Sequence, residues 1–171
     1  HATWRAPLPP RILGHPPDPA VTTQLVLPRA AALGPGRGGQ QRLLIDAPAG
    51  AAEIYLHGAT VTSWVPRGGS EVIFTSRQAV FDGATAIRGG IPRCLPECGV
   101  GINGDAVPKH GWARIAPWRL RTVTTTDGGG VRALLSVSRD RLTALYEVEV
   151  GETLRLGLSL RNEGTEPRTV E

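Results

Sequence analysis

The chain has no methionine, one lysine, two cysteines and few aromatic side chains, four Trp, two Tyr and two Phe. Each scarcity narrows what the chain can be. With no methionine and His1 at its start, the sequence is expected to be part of a longer translation product. Lys109 is the only lysine, so nearly all of the 19 basic residues are arginine, and a formal charge of +4 with no run of like charges describes no basic tail. That charge favours encounters with anions such as phosphate esters and identifies no partner. Cys94 and Cys98 form a C-x3-C pair with no second pair and no His-x3-His nearby, so no structural zinc site or other metal is expected. Between these two thiols a disulfide stays open. No apolar run approaches the roughly 18 residues of a membrane span, and no charged-then-apolar leader is present, so the default expectation is a cytoplasmic protein with no membrane contact. No stretch of a dozen residues keeps a helical apolar stripe, which excludes a helical fold.

The 171 residues suit one domain. Residues 1–24 are rich in Pro and Ala without period and read as a disordered or non-native leader. Leu25 to Leu33 is weakly apolar, Gly34-Pro35-Gly36-Arg37-Gly38-Gly39 breaks any regular element, and regular structure is expected from near Arg42. Short apolar runs bounded by Gly or Pro then predict strands over Arg42–Asp46, Ala52–Leu56, Ala59–Val65 and Glu71–Thr75. His57-Gly58 and Arg67-Gly68-Gly69-Ser70 read as the turns between them, with His57 structural. Further on, Trp118, Leu120 and Thr122 alternate with Arg119, Arg121 and Val123, and Val131 to Ser138 alternates likewise. Tyr146, Val148 and Val150 joined through Gly151-Glu152-Thr153 to Leu154, Leu156, Leu158 and Leu160 predict a hairpin with one wet face. Asn162 to Pro167 is a turn, and Arg168–Glu171 reads as the start of another strand. The fold class is all-β, an antiparallel sandwich, and a sheet ending there would expose an edge prone to edge-to-edge self-association.

Chemistry concentrates in Ala86–Pro96 and Val107–Arg114. Arg88 before two glycines is suited to gripping an anion, because a guanidinium fork matches carboxylate or phosphate oxygens; the plain alternative is a Gly-Gly turn with a solvated arginine. His110 can hydrogen-bond a sugar hydroxyl or pass a proton near neutrality, or serve structure alone. Arg114 can reach the same ligand or pair with Asp105 or Glu97 at the surface. Cys98 reads as a small buried side chain rather than a nucleophile.

Four motifs in order, Leu56-His57-Gly58-Ala59-Thr60-Val61-Thr62-Ser63-Trp64, Phe81-Asp82-Gly83, Ile87-Arg88-Gly89-Gly90-Ile91-Pro92 and Pro108-Lys109-His110-Gly111-Trp112-Ala113-Arg114, resemble the N-terminal half of the hexose-6-phosphate mutarotases, the glucose-6-phosphate 1-epimerases of the aldose 1-epimerase superfamily. The resemblance covers about Leu25 to Glu171. It implies that residues 25–171 are the N-terminal portion of a galactose mutarotase-like β-sandwich, incomplete at its C-terminus. It further implies a cytoplasmic isomerase without metal or organic cofactor that interconverts the α and β anomers of a hexose 6-phosphate. By motif, Arg88 and Arg114 take substrate-binding positions, Lys109 stands where the family often has a ligand-contacting glutamine, and His110 lines the pocket. The acid histidine and base glutamate of the family are expected beyond Glu171, so no catalytic residue is expected in this chain and it is expected to be inactive alone. Leu95-Pro96-Glu97-Cys98-Gly99 departs from the family's aromatic Pro-x-Phe-Gly pattern. Two other readings are a non-catalytic carbohydrate or sugar-phosphate binding domain and, more weakly, nucleic-acid binding through the Arg-Gly-Gly triplets at Arg37, Arg67 and Arg88. The second is disfavoured by the lack of an aromatic pattern on which bases would stack, so no specific nucleic acid is expected.

Overall fold

The computed structural model describes residues 24–171, so the expected leader lies outside the described residues except for Gln24. Eight strands form two antiparallel four-stranded sheets. The first contains β1 (Ala31–Pro35), β2 (Gln41–Ala47), β3 (Gly50–Tyr55) and β4 (Thr60–Pro66); the second contains β5 (Arg119–Thr125), β6 (Val131–Arg139), β7 (Leu142–Val150) and β8 (Leu154–Asn162). Within each sheet the strands pair in chain order, so each is a meander. One apolar core runs between the sheets, where Leu43, Ile45 and Val61 of the first join Val131, Leu135 and Val148 of the second. The fold is therefore the expected all-β antiparallel sandwich.

Alternation builds the second sheet. In β7, Leu142, Ala144, Tyr146, Val148 and Val150 are buried while Leu145 and Glu147 face solvent. Each large apolar side chain so buried stabilises by about 1.5–3 kcal/mol. The edge strand β8 departs from the expected single wet face. Leu156, Leu158 and Leu160 lie across from Val148, Tyr146 and Ala144 on the core-facing side, yet they stay 40%, 45% and 39% exposed because β8 has a neighbour on one side only. In β5 the expected alternation breaks at a bulge: Leu120 pairs with Leu135 and Thr122 with Leu134, leaving Arg121 extra. The extra residue turns Thr122 outward and Val123 into the core.

Three further expectations are corrected. Structure begins before Arg42, because β1 pairs with β2 from Ala31↔Ile45 to Pro35↔Gln41, and as an edge strand it tolerates Pro35. Glu71–Thr75 is not a strand. The Glu71 carboxylate instead accepts the Trp64 amide at 2.9 Å and the Ile73 amide at 2.8 Å, occupying the edge of β4 that a fifth strand would need. Arg168–Glu171 forms no strand either, although the Glu171 amide donates to the Pro96 carbonyl at 2.9 Å.

Between β4 and β5 the chain runs from Arg67 to Trp118 with almost no regular structure, a short 3-10 turn at Ala113–Ile115 excepted. Single bridges pin it to the first sheet, Val61 to Ile91 and His57 to Pro117, and one inside the segment joins Thr75 to Gly89. Arg93 ties it to the second sheet: its guanidinium is buried 3.9 Å over the Tyr146 ring, and its Nη2 donates to the Ile91 carbonyl. No helix among the described residues is long and apolar enough to cross a membrane.

Candidate functional site

Backbone hydrogen bonds place Arg88. Its carbonyl accepts the Ser76 amide at 3.0 Å, the Gly90 amide donates to Phe74 O at 2.7 Å, and the Ile91 amide donates to Val61 O at 3.0 Å. Gly90 makes that closure feasible: its φ is 68°, and a Cβ would lie 2.6 Å from Val61 O. The loop is thereby pinned to β4 on one side, and the Arg88 side chain is left exposed.

Arg114 comes from the 3-10 turn, held from three directions. The Gly58 amide donates to Ala116 O at 2.8 Å, the buried Trp118 indole donates to Ala113 O at 2.8 Å, and the Ala113 amide donates to Leu95 O at 3.2 Å. The Arg114 Nη2 donates to Lys109 O at 3.1 Å, while its Nε is buried and finds no partner in the protein. Among the described residues neither Arg88 nor Arg114 forms an ion pair, so the surface pairing of Arg114 with Asp105 or Glu97 does not occur.

The two arginines line one open cleft of about 710 Å³ together with Thr60, Gln78, Thr85 and the Gly89-Gly90 backbone. Thr85 is positioned by Asp82, whose carboxylate accepts the Thr85 amide at 2.6 Å, the Ala84 amide at 2.8 Å and the Thr85 hydroxyl at 2.7 Å. The Thr85 amide, then the Ala84 amide and the Thr85 hydroxyl, hold this carboxyl down at about 2 against an ordinary 3.8. The Thr85 carbonyl in turn lies 2.9 Å from Nε2 of the buried His57, and an N–H there donates to it. His57 lies between β3 and β4, where the turn was expected.

Lys109 and His110 stand apart from this cleft. Lys109 is exposed and meets Arg114 only through its carbonyl. His110 adopts φ 67°, and its Nδ1 accepts the Gly99 amide at 3.0 Å with the Cys94 sulfur at 3.6 Å. Of the four residues singled out by motif, the fold therefore brings together two. Cys98 is exposed rather than buried, because it lies in an irregular loop and not on a core-facing strand. Burial, and then the neighbouring Cys98, push the Cys94 thiol up.

Sequence reasoning missed Thr60, Gln78 and Thr85. The Asp82-Gly83-Ala84-Thr85 turn carried a usable signal for Thr85, an Asp followed three residues on by a hydroxyl that its carboxylate can bind. Gln78 carried none. The three Arg-Gly-Gly triplets also have different fates: Arg37 lies 4.3 Å over the Phe81 ring, Arg67 donates to Pro48 O at 2.7 Å, and Arg88 alone faces the cleft.

Comparison with known proteins gives concordant matches. The family model described as "Aldose 1-epimerase" matches residues 41–170. A protein of Escherichia coli (strain K12) named "Putative glucose-6-phosphate 1-epimerase" is 32% identical over 130 residues, 71% of this chain and 44% of that protein. A protein of the same name from Cenchrus ciliaris is 48% identical over 69 residues, 40% of this chain and 20% of its own length. The crystal structure of a "putative mutarotase" from Salmonella typhimurium superposes with a TM-score of 0.72 at 28% identity, covering 80% of this chain and 48% of that one. The chain thus spans less than half the length of these relatives.

Proposed function

The chain belongs to the aldose 1-epimerase family, isomerases of sugar anomers, and from that premise we propose that it supplies the anion-binding side of a site that interconverts the α and β anomers of a hexose 6-phosphate. One observation carries the reading: Arg88 and Arg114, distant in sequence, line the same cleft, and among the described residues no carboxylate is paired to either. Guanidinium groups without a carboxylate partner are matched to a phosphate dianion, which can accept several charge-assisted hydrogen bonds from them. Thr60, Gln78 and Thr85 offer neutral hydrogen-bonding groups for sugar hydroxyls.

Anomer exchange requires a base to take the anomeric hydroxyl proton and an acid to protonate the ring oxygen, after which the ring opens, the C1–C2 bond rotates and the ring recloses. Arginine stays protonated and does neither. In this reading Arg88 and Arg114 hold the ester and fix where the ring lies, while proton transfer belongs to groups other than these. Lys109 assists by presenting its carbonyl to Arg114. His110, tied to Gly99 and Cys94, has no contact with the cleft in this arrangement.

Calorimetric titration with glucose 6-phosphate tests the assignment. Arg88→Ala and Arg114→Ala are each expected to weaken binding by roughly 10- to 100-fold, the value of a charged hydrogen bond, with circular dichroism unchanged. Unaltered affinity in both variants would overturn it.

A further inference from the structure

Cys94 and Cys98 have neither a second cysteine pair nor a His-x3-His close in the chain, so in sequence they lack further metal ligands. The fold supplies one from further along. The ligand atoms of Cys94, Cys98 and His110 all lie within 4.8 Å of one another. Two thiols and an imidazole converging in this way are the donor set of zinc and of other borderline-soft divalent ions.

The convergence is built by the backbone on both sides of His110. The His110 amide donates to Gly99 O at 2.6 Å while the Gly99 amide donates back to Nδ1 of the ring at 3.0 Å, a reciprocal pair that locks the histidine to the residue after Cys98. The Ala113 amide, donating to Leu95 O, holds the other flank beside Cys94. His110 takes its positive φ within this clamp. Because Nδ1 accepts the Gly99 amide, it carries no proton, and a metal takes its lone pair when that amide lets go.

We propose that Cys94, Cys98 and His110 form a zinc-binding site of the Cys2His type with solvent in the fourth position. Tetrahedral zinc with its usual bond lengths sets sulfur and nitrogen ligands roughly 3.6 Å apart and two sulfurs about 3.8 Å apart. The Cys94 sulfur already lies 3.6 Å from His110 Nδ1, and the outer limit of 4.8 Å within the set closes by side-chain rotation. Cys98 is exposed, which gives the ion an entry path and leaves room for a water ligand. On binding, both thiols release their protons to solvent and the sulfurs ligate as thiolates; the Gly99 amide exchanges Nδ1 for a thiolate, a stronger acceptor than a thiol. The site lies outside the cleft of Arg88 and Arg114 and does not rest on the sugar-phosphate reading. It does brace the segment whose Lys109 carbonyl receives Arg114.

Cobalt is the probe, since its thiolate charge-transfer bands in the near ultraviolet report each sulfur ligand. Reduced, metal-free protein is titrated with Co2+ and then with Zn2+, alongside Cys98→Ser, which alters an exposed side chain, and His110→Asn, which tolerates the left-handed backbone. The wild type is expected to take up one equivalent of Co2+ with thiolate bands and tetrahedral visible absorption, both erased by one equivalent of Zn2+. Cys98→Ser should keep about half of the charge-transfer intensity. His110→Asn should bind more weakly by more than the roughly 10- to 100-fold cost of losing an outer-shell partner. Thermal unfolding of each apo variant confirms that it is folded. Absence of thiolate bands in the wild type, an undiminished band in Cys98→Ser, or undiminished affinity in His110→Asn would overturn the proposal.

Discussion

The β5–β8 sheet and the segment from Arg67 to Trp118 are stabilised in different ways. The sheet is held by side chains that alternate: Val131, Ala133 and Leu135 in β6 and Ala144, Tyr146 and Val148 in β7 are all buried in the core. The segment adds Leu95, Trp112, Ala113 and Trp118 to that core, and the rest of it is held by amide-to-carbonyl bonds such as Gly90 to Phe74 and Ile91 to Val61 and by polar side chains such as Asp82 that satisfy successive amides. A regular ladder spends its backbone groups on neighbouring strands and leaves side chains to pack. An irregular segment bonded at points can present selected side chains to solvent, and the two cleft arginines come from it. Scaffold and site are thus separated along the chain, as expected where rigid sheets carry functional loops.

The contrast can be broken most severely in the core. Leu135, fully buried in β6, is expected to cost about 2–5 kcal/mol of stability as Leu135→Ala, read as a lowered midpoint in urea unfolding, while glucose 6-phosphate affinity of the folded fraction stays unchanged. Next comes the backbone of the segment. Gly90→Ala forces a Cβ against Val61 O at positive φ and should lose about 1–3 kcal/mol in the same assay, with ligand affinity falling as well because Arg88 moves with the loop. Arg114→Ala should do the reverse of Leu135→Ala, weakening ligand binding while shifting the unfolding midpoint little.

The smallest effect is electrostatic. Asp82 has its pKa lowered in the folded state to about 2 from 3.8, so its contribution is fully present above 3.8 and is lost as pH falls towards 2. Carboxyl chemical shifts followed through an acid titration should show this late protonation. Asp82→Asn should remove that phase and leave the rest of the acid titration as it was.

How much of this could be read from the residues follows the same division. Period-2 patterning found β6 and β8 almost to their ends, β7 only from Tyr146 onward, and β5 only as far as its bulge, because an inserted residue is invisible to a strict alternation. It misread Glu71–Thr75, whose composition suits a strand, because nothing in the composition tells that the Glu71 carboxylate caps the edge of β4. It missed β1, where Gly34 and Pro35 signal a break that an edge strand accommodates. In the segment, periodicity is silent and only ordered motifs speak. By motif they grouped Arg88, Lys109, His110 and Arg114; Arg88 and Arg114 line one cleft, whereas the turn at His110 directs its ring to Gly99 and Cys94. The C-x3-C pair was read without its third member for the same reason: His110 reaches it only through the return of the loop.

Recognition of a sugar ester's phosphate by the cleft of Arg88 and Arg114, with the second sheet as scaffold, is the proposal on which the rest depends. Two-dimensional amide NMR with glucose 6-phosphate, and with glucose as the uncharged control, tests it most directly. Shifts are expected at Gly89, Gly90 and the Ala113–Ile115 turn with the ester, none of comparable size with glucose, and silence across β6 and β7. Equal responses to both sugars, or shifts centred on β6 and β7 with the cleft amides unmoved, would contradict it.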